Sequence, residues 1–104
     1  MAKSNVDIAR MKENATEVSE LLKILAHPER LMVLCQLTQG EVGAGCLQQG
    51  SSLSQSAFSQ HLSVLRNANL IVARKEAQQV FYSLADTRAA RIIESLQSEF
   101  CTSI

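Results

Sequence analysis

The 104-residue sequence predicts a mainly α-helical domain with one small β-hairpin, in the order α-α-α-α-β-β-α. Over most of the chain, apolar residues recur at three- and four-residue spacing, as they do on one side of an α-helix. After Asn69 the pattern changes to two short runs rich in β-branched and aromatic residues, which are typical of strands. A chain of this length forms one domain, so we expect residues 1–104 to share a single core.

The composition argues against two classes of nucleic-acid-binding protein. Lys and Arg number 10, and so do Asp and Glu, so no overall charge draws the chain to nucleic acid. This argues against a nonspecific coat protein but allows a specific binder with a local basic edge. One Tyr, three Phe and no Trp are too few for a platform that stacks single-stranded bases.

The sequence also predicts the compartment and the state of the cysteines. No apolar run approaches the roughly 20 residues that span a bilayer, and the N-terminus lacks the apolar core of a signal peptide. We therefore expect a cytoplasmic protein with no membrane partner, in which Cys35, Cys46 and Cys101 form no structural disulfide framework. No Ser-His-Asp set, carboxylate pair or phosphate-binding glycine loop is evident, so we expect neither an enzyme nor a cofactor.

The first two segments are predicted helices. A broad apolar stripe predicts a helix over about residues 6–26, wide enough for both a core and a partner. His27 and Pro28 end it, because a residue before proline avoids the α region. Pro28 then begins a second helix that runs to about Gln39 and is closed by Gly40. The second helix is apolar nearly all round, which predicts that it is central and buried.

A short helix, a tight turn and a longer helix follow. Glycines punctuate residues 40–52, with Cys46 and Leu47 in a short helix between them. A turn at residues 51–53 precedes the longer helix, whose predicted N-cap is Ser54. This arrangement is that of a helix-turn-helix.

The longer helix has one apolar side and one polar side. Phe58, Leu62 and Leu65 share the apolar side, while the polar side has Ser and Gln in place of the usual Glu and Lys. That composition suits contact with base edges in a major groove, although an uncharged surface helix is the alternative. The predicted DNA contacts on this helix are Gln55, Ser56, Ser59, Gln60, His61, Ser63 and Arg66.

These contacts divide by their place along the helix. The N-terminal half enters the groove, so Gln55, Ser56, Ser59 and Gln60 are the predicted base contacts. Arg66 is predicted to contact phosphate, unless it only ends the helix. His61 remains open between a phosphate contact and a residue that covers the core.

Two short runs, over residues 70–75 and 80–84, predict a hairpin directly behind that helix. Arg74 and Lys75 are opposed there by Glu76 alone, which predicts a positive edge in a neutral protein. Such a hairpin is a wing, and its basic residues lie where a phosphate backbone runs. The predicted wing contacts are Arg74, Lys75, Gln78 and Gln79.

Asp86 is the predicted N-cap of a last helix that continues to about Cys101. The apolar faces of the first and last helices exceed what a domain of this size buries alone. We therefore infer a homodimer in which these two helices supply the interface.

The run LSQSAFSQHLSVLRNANLIVARKEAQQVFYSL resembles the recognition helix and wing of the ArsR/SmtB winged-helix repressors. The resemblance covers nearly the whole chain, including LLKILAHPERLMVLCQL near its front. It implies a dimeric, winged helix-turn-helix transcription factor. Its partners would be a palindromic operator in double-stranded DNA and an inducer that releases it.

The metal sites of that family are not intact in this sequence. Its arsenic-responsive members have Glu-Leu-Cys-Val-Cys-Asp-Leu, whereas residues 41–47 place glycines at both thiolate positions and Cys46 at the Asp position. The zinc site of the last helix keeps only Asp86. Cys35 and Cys101 resemble instead the sulfide- and redox-responsive branch, which implies a sulfur or oxidant inducer. Cys35 would become a persulfide or sulfenic species, and Cys101 would attack it to form a di- or polysulfide bridge.

Three alternatives stay open at this point. Without the resemblance, Cys35 is better explained as a buried apolar residue, although the polar neighbours of Cys101 indicate an accessible thiol. One alternative is a metal- or metalloid-responsive repressor that uses Cys35, Cys46 and Cys101. The others are a redox-insensitive regulator of the same fold, and a thiol enzyme or protein-binding adapter.

Overall fold

The computed structural model describes residues 7–101, which form five helices and three strands. The predicted start of the first helix at Val6 lies outside the described residues. In chain order the elements are α1 (Ile8–Leu25), α2 (Pro28–Leu37), β1 (Val42–Gly43), α3 (Ala44–Gln49), α4 (Gln55–Asn67), β2 (Ile71–Glu76), β3 (Gln79–Leu84) and α5 (Thr87–Phe100).

Both predicted N-caps are confirmed. The Ser54 hydroxyl accepts a hydrogen bond from the backbone N–H of Ala57 at 3.2 Å and so begins α4. Asp86 Oδ1 accepts two such bonds, from the N–H groups of Arg88 at 2.8 Å and Ala89 at 3.0 Å, and so begins α5. These side chains satisfy donors that the first turn of a helix leaves unpaired.

The second helix begins at Pro28 as predicted but ends at Leu37, earlier than predicted. The hydroxyl of Thr38 donates to the carbonyl of Cys35 at 2.8 Å, which satisfies one of the last free carbonyls of the helix. Gly40 has a φ of +130°, a conformation that favours glycine, and the chain turns there towards β1.

The predicted hairpin is part of a three-stranded antiparallel sheet with strand order β1-β3-β2. The strand β1 was not predicted, because two residues, one of them glycine, are too few to show a periodic pattern. It exists because β3 offers a second edge, where Val42 pairs with Tyr82 and Gly43 with Phe81. The sheet therefore joins the segment before α3 to the wing.

The core surrounds α2, which packs against α1, α4, α5 and β3. This confirms the central position predicted for α2, although Met32 on its outer side is 55% exposed. The buried apolar residues come from every helix and from the sheet: Leu25, Val33, Leu34, Leu37, Leu47, Phe58, Leu62, Leu65, Leu70, Ile71, Tyr82, Ala89 and Ile93. The core thus holds α4 and the wing on one framework.

The helices α1 and α5 keep much of their apolar surface outside this core. Leu22 of α1 is 49% exposed and Phe100 of α5 is 82% exposed. A groove of about 260 Å³, lined by Val18, Leu21 and Ile92 among others, lies between the two helices. None of the helices within residues 7–101 has both the length and the apolarity needed to cross a bilayer.

Candidate nucleic-acid interface and thiol site

The two sides of α4 are oriented as the sequence predicts. Phe58, Leu62 and Leu65 are buried, and they fix the helix on the core. The polar residues on the other side are exposed: Gln55, Ser56, Ser59, Gln60, Ser63 and Arg66. No acidic residue occurs in α4, so this face presents hydrogen-bonding groups and one cation to its surroundings.

His61, the remaining predicted contact on α4, is half-buried and has a partner that the sequence did not indicate. The guanidinium of Arg30 donates from Nε to His61 Nδ1 at 3.1 Å and from Nη1 to the carbonyl of Ile24 at 3.2 Å. Burial lowers the pKa of His61, and the charges of Arg30 and His27 lower it further. Because Nδ1 accepts a bond, the neutral ring carries its proton on Nε2. His61 therefore connects α4 to α2 and leaves one N–H as a donor.

The turn before α4 is fixed by side chains as well. The Ser51 hydroxyl donates to Glu29 Oε1 at 2.9 Å and accepts from the backbone N–H of Leu53 at 3.0 Å. The amide of Gln48 donates to the carbonyl of Leu53 at 3.1 Å. The start of α4 is thus tied both to α3 and to the first turn of α2.

Three of the four predicted wing contacts lie exposed at the surface of the hairpin. Its strands pair from Ile71 and Leu84 to Glu76 and Gln79, and two residues make the turn. Lys75, Gln78 and Gln79 are exposed there. Ala77 occupies a left-handed conformation with a φ of 55°, which is uncommon for a residue with a side chain.

Arg74, the fourth predicted wing contact, is held by carboxylates. Its Nε and Nη2 atoms donate to the two carboxylate oxygens of Glu41 at 2.8 Å each, and Nη1 donates to Glu76 at 3.2 Å. Its guanidinium also lies over the Phe81 ring, 4.9 Å from the centroid. The hydrogen bond from Arg74 lowers the pKa of Glu41. The sequence predicts a positive edge because Glu76 is the one acidic residue beside Arg74 and Lys75 in the hairpin. The structure corrects this prediction, because Glu41, which lies just before β1, brings a second carboxylate to the wing.

The two predicted redox residues lie at the contact between α2 and α5. Cys35 is half-buried and Cys101 is exposed. The side-chain amide of Gln97 donates to the carbonyl of Cys35 at 3.3 Å, and the carbonyl of Gln97 accepts from the N–H of Cys101 at 2.8 Å. Burial raises the pKa of the Cys35 thiol; Gln97 opposes the rise, and Cys101 adds to it. The two cysteines thus share Gln97 as a neighbour.

Cys46 is exposed at α3, beside a hollow of about 400 Å³ that Gln78 and Gln79 of the wing also line. In the part of the chain that the structure describes, no three His, Cys, Asp or Glu side chains lie close enough to hold a metal ion. The three-cysteine metal site that the sequence left open is therefore not assembled among residues 7–101.

Comparison with known proteins identifies the family. The family described as "Bacterial regulatory protein, arsR family" matches residues 27–72, which extend from the start of α2 into β2. A biofilm growth-associated repressor of Agrobacterium fabrum is 48% identical over 96 residues, which are 92% of this chain and 82% of that protein.

Solved structures agree with the sequence comparison. Reduced HlyU from Vibrio cholerae is similar with a TM-score of 0.84 and 43% identity, covering 89% of this chain and 98% of that one. The transcriptional repressor BigR from Xylella fastidiosa has a TM-score of 0.86 and 38% identity, covering 94% and 100%. The chain therefore belongs to the ArsR family of bacterial regulatory proteins, and it is a DNA-binding transcriptional regulator with a winged helix-turn-helix fold.

Proposed function

We propose that this chain is a dimeric repressor that binds a palindromic operator when reduced and leaves it when Cys35 and Cys101 become joined. The observation on which DNA recognition depends is the exposed, acid-free polar face of α4 beside the wing. The biofilm growth-associated repressor and BigR support repression as the outcome of binding.

Recognition of bases is assigned to the first half of α4. Gln55, Ser56, Ser59 and Gln60 are exposed there, and a Gln amide can bind adenine through two hydrogen bonds in the major groove. Ser63, Arg66 and the Nε2–H of His61 are assigned to the neighbouring phosphate backbone of the DNA. On the wing, Lys75, Gln78 and Gln79 are assigned to phosphate, where contacts position the protein without specifying sequence.

The apolar surfaces of α1 and α5 support a dimer. Leu22, Leu96 and Phe100 are 49%, 37% and 82% exposed in the single chain, although all three are large and apolar. Covering them with a second copy removes that surface from water and favours association. A two-fold axis then presents two copies of α4 to one duplex, whose half-sites lie about 34 Å apart, and the operator is palindromic for the same reason.

Release is assigned to the two thiols, with Cys101 reacting first. Cys101 is exposed, whereas burial raises the pKa of Cys35 and so disfavours its reactive thiolate. The resemblance implies the reverse order, in which Cys35 is modified first and Cys101 attacks it. The Cys101 thiolate attacks the outer sulfur of a low-molecular-weight persulfide, becomes a persulfide itself and releases the donor as a thiol. The Cys35 thiolate then attacks the inner sulfur, which forms the disulfide and releases hydrosulfide.

An oxidant leads to the same bridge. A peroxide converts the Cys101 thiol to sulfenic acid and is itself reduced to water or an alcohol. Cys35 displaces the hydroxyl group as water, and the disulfide forms. Either bridge covalently joins α2 to the end of α5, the helix that supplies the proposed dimer face. The two copies of α4 then take a different relative position, and they no longer fit two half-sites together.

The test is a fluorescence anisotropy titration on the promoter fragment beside the chain's own gene. Wild-type protein is measured reduced and after treatment with glutathione persulfide, and the affinity is expected to fall about 5- to 150-fold, the usual range of allosteric coupling. Cys101→Ser is expected to stay bound after treatment. Cys46→Ser is the matched control, since Cys46 is also exposed, and it is expected to respond like the wild type. Release of Cys101→Ser equal to that of the wild type contradicts the thiol mechanism.

A further inference from the structure

One charged side chain of the wing adds a contact to the strand pairing that joins the wing to β1. In the three-stranded sheet, Gly43, Phe81 and Arg74 lie side by side in neighbouring strands. Glu41 lies immediately before β1, two residues ahead of Gly43. Arg74 crosses the Phe81 ring at 4.9 Å and meets Glu41 just beyond Gly43.

The geometry of this contact is that of the stronger exposed ion pairs. Both carboxylate oxygens of Glu41 accept from Arg74 at 2.8 Å, which is the bidentate arrangement. The guanidinium is also stacked on an aromatic ring. Most surface ion pairs contribute little to stability, but a bidentate pair whose guanidinium also stacks on a ring is held in one orientation. Arg74 is therefore fixed although half of its side chain is exposed.

This contact changes the charge that the wing presents. Three N–H groups of Arg74 donate to carboxylates, two to Glu41 and one to Glu76. Two acidic groups surround one cation, so this part of the wing is not positive. Within the wing, Lys75 is exposed, and it forms no ion pair with any carboxylate in the part of the chain that the structure describes.

We propose that Glu41 is a positioning residue for DNA binding, which holds Arg74 on the Phe81 ring and withholds this cation from phosphate. The proposal rests on the DNA-binding function proposed above. Arg74 then packs on the sheet without contacting phosphate, and Lys75 is the phosphate contact of the wing. Fewer phosphate contacts weaken binding to every sequence equally, so Glu41 limits the nonspecific part of the affinity.

The first test measures how DNA affinity depends on salt. Each phosphate contact contributes about 0.9 to the slope of log K against log salt concentration. Glu41→Gln frees Arg74, so the slope is expected to steepen by about 1.8 per dimer, with tighter binding to unrelated DNA. Glu76→Gln is the matched control, because it also removes one carboxylate that accepts from Arg74 but leaves the bidentate pair with Glu41 intact. Its slope is expected to equal that of the wild type.

Two further variants decide the role of Arg74. Arg74→Ala is expected to keep the wild-type slope, and Glu41→Gln in the Arg74→Ala background is expected to leave that slope unchanged. A shallower slope for Arg74→Ala overturns the proposal, since it means that Arg74 contacts phosphate in the wild type. Equal slopes for Glu41→Gln and Glu76→Gln overturn it as well.

A measurement without DNA separates this proposal from the proposed function. Amide hydrogen exchange in β1 and β3 is expected to be faster in Glu41→Gln than in Glu76→Gln, because only the former detaches Arg74. If wild-type protein retains no operator while this difference is found, the proposed function fails, and of this proposal only the structural part stands, that Glu41 holds Arg74 in place. If neither variant changes exchange in a protein that binds no operator, both fail.

Discussion

Replacing Asp86 by Ala is expected to lower the free energy of unfolding by about 1–2 kcal/mol, in the upper part of the range for N-caps. The reason is that Asp86 Oδ1 accepts two backbone N–H groups, at 2.8 and 3.0 Å. Ser54, the N-cap of α4, accepts one, at 3.2 Å. We therefore expect Ser54→Ala to cost less, about 0.5–1 kcal/mol.

The same hydrogen bonds make this contribution depend on pH. The N–H of Ala89 is the largest cause that lowers the pKa of Asp86, burial opposes it, and Arg88 lowers it further. Since the folded state favours the ionised carboxylate, the stabilisation is fully present above the unfolded value of 3.8. It is lost as the pH falls through the lower, folded value. Asp86→Asn keeps an acceptor and cannot titrate, so its deficit relative to wild type is expected to shrink as the medium is acidified.

Urea unfolding followed by far-ultraviolet circular dichroism measures these differences. All variants are compared at one protein concentration, because the stability of a dimer depends on concentration. If Asp86→Ala lowers the free energy of unfolding by no more than Ser54→Ala does, the argument that two accepted hydrogen bonds stabilise more than one is refuted. If the difference in free energy of unfolding between wild type and Asp86→Asn stays constant from neutral to acid pH, then ionisation of Asp86 is not the cause of the pH dependence.

Three further predictions concern the core, the thiols and the imidazole of α4. Leu65→Ala removes a fully buried side chain and is expected to cost about 2–5 kcal/mol in urea unfolding. The exposed Ser63→Ala is its control on the same helix and is expected to stay within about 0.5 kcal/mol of wild type. Under reducing conditions iodoacetamide is expected to label Cys101 faster than Cys35, and equal rates by peptide mass spectrometry contradict the order of reaction proposed above. In a nuclear magnetic resonance titration the His61 imidazole is expected to ionise below pH 6.5, and a midpoint at or above that value rules out its burial beside Arg30.

The parts of the molecule that local pattern determines were predictable from the sequence. The spacing of Phe58, Leu62 and Leu65 is enough to assign the buried side of α4, because a helix fixes which residues share a face. Ser54 and Asp86 are predictable caps for a similar reason, since a cap bonds to backbone two or three residues away. The face of α4 that we propose for DNA contact follows from these assignments.

The contacts that join distant segments were not predictable in this way. Arg74 and Glu41 are 33 residues apart, and they meet only because β1 pairs with β3. Arg30 and His61 are 31 residues apart and meet because α2 packs against α4. No periodicity or cap signal marks either pair. The predicted positive charge at the wing is therefore wrong, because the carboxylate of Glu41 lies beside Arg74 although the two residues are far apart in the sequence.

The helix α2 connects the two sites that the proposed function requires. Near its first turn Arg30 is bonded to His61 of the DNA-facing helix, and near its last turn Cys35 accepts from Gln97 beside Cys101. Arg30 and Cys35 are five positions apart along the helix, a rise of about 7.5 Å. Val33 and Leu34 between them are buried in the core, which holds this segment of the helix in place. In the proposed function, α2 therefore links the reaction of the two thiols to the position of α4.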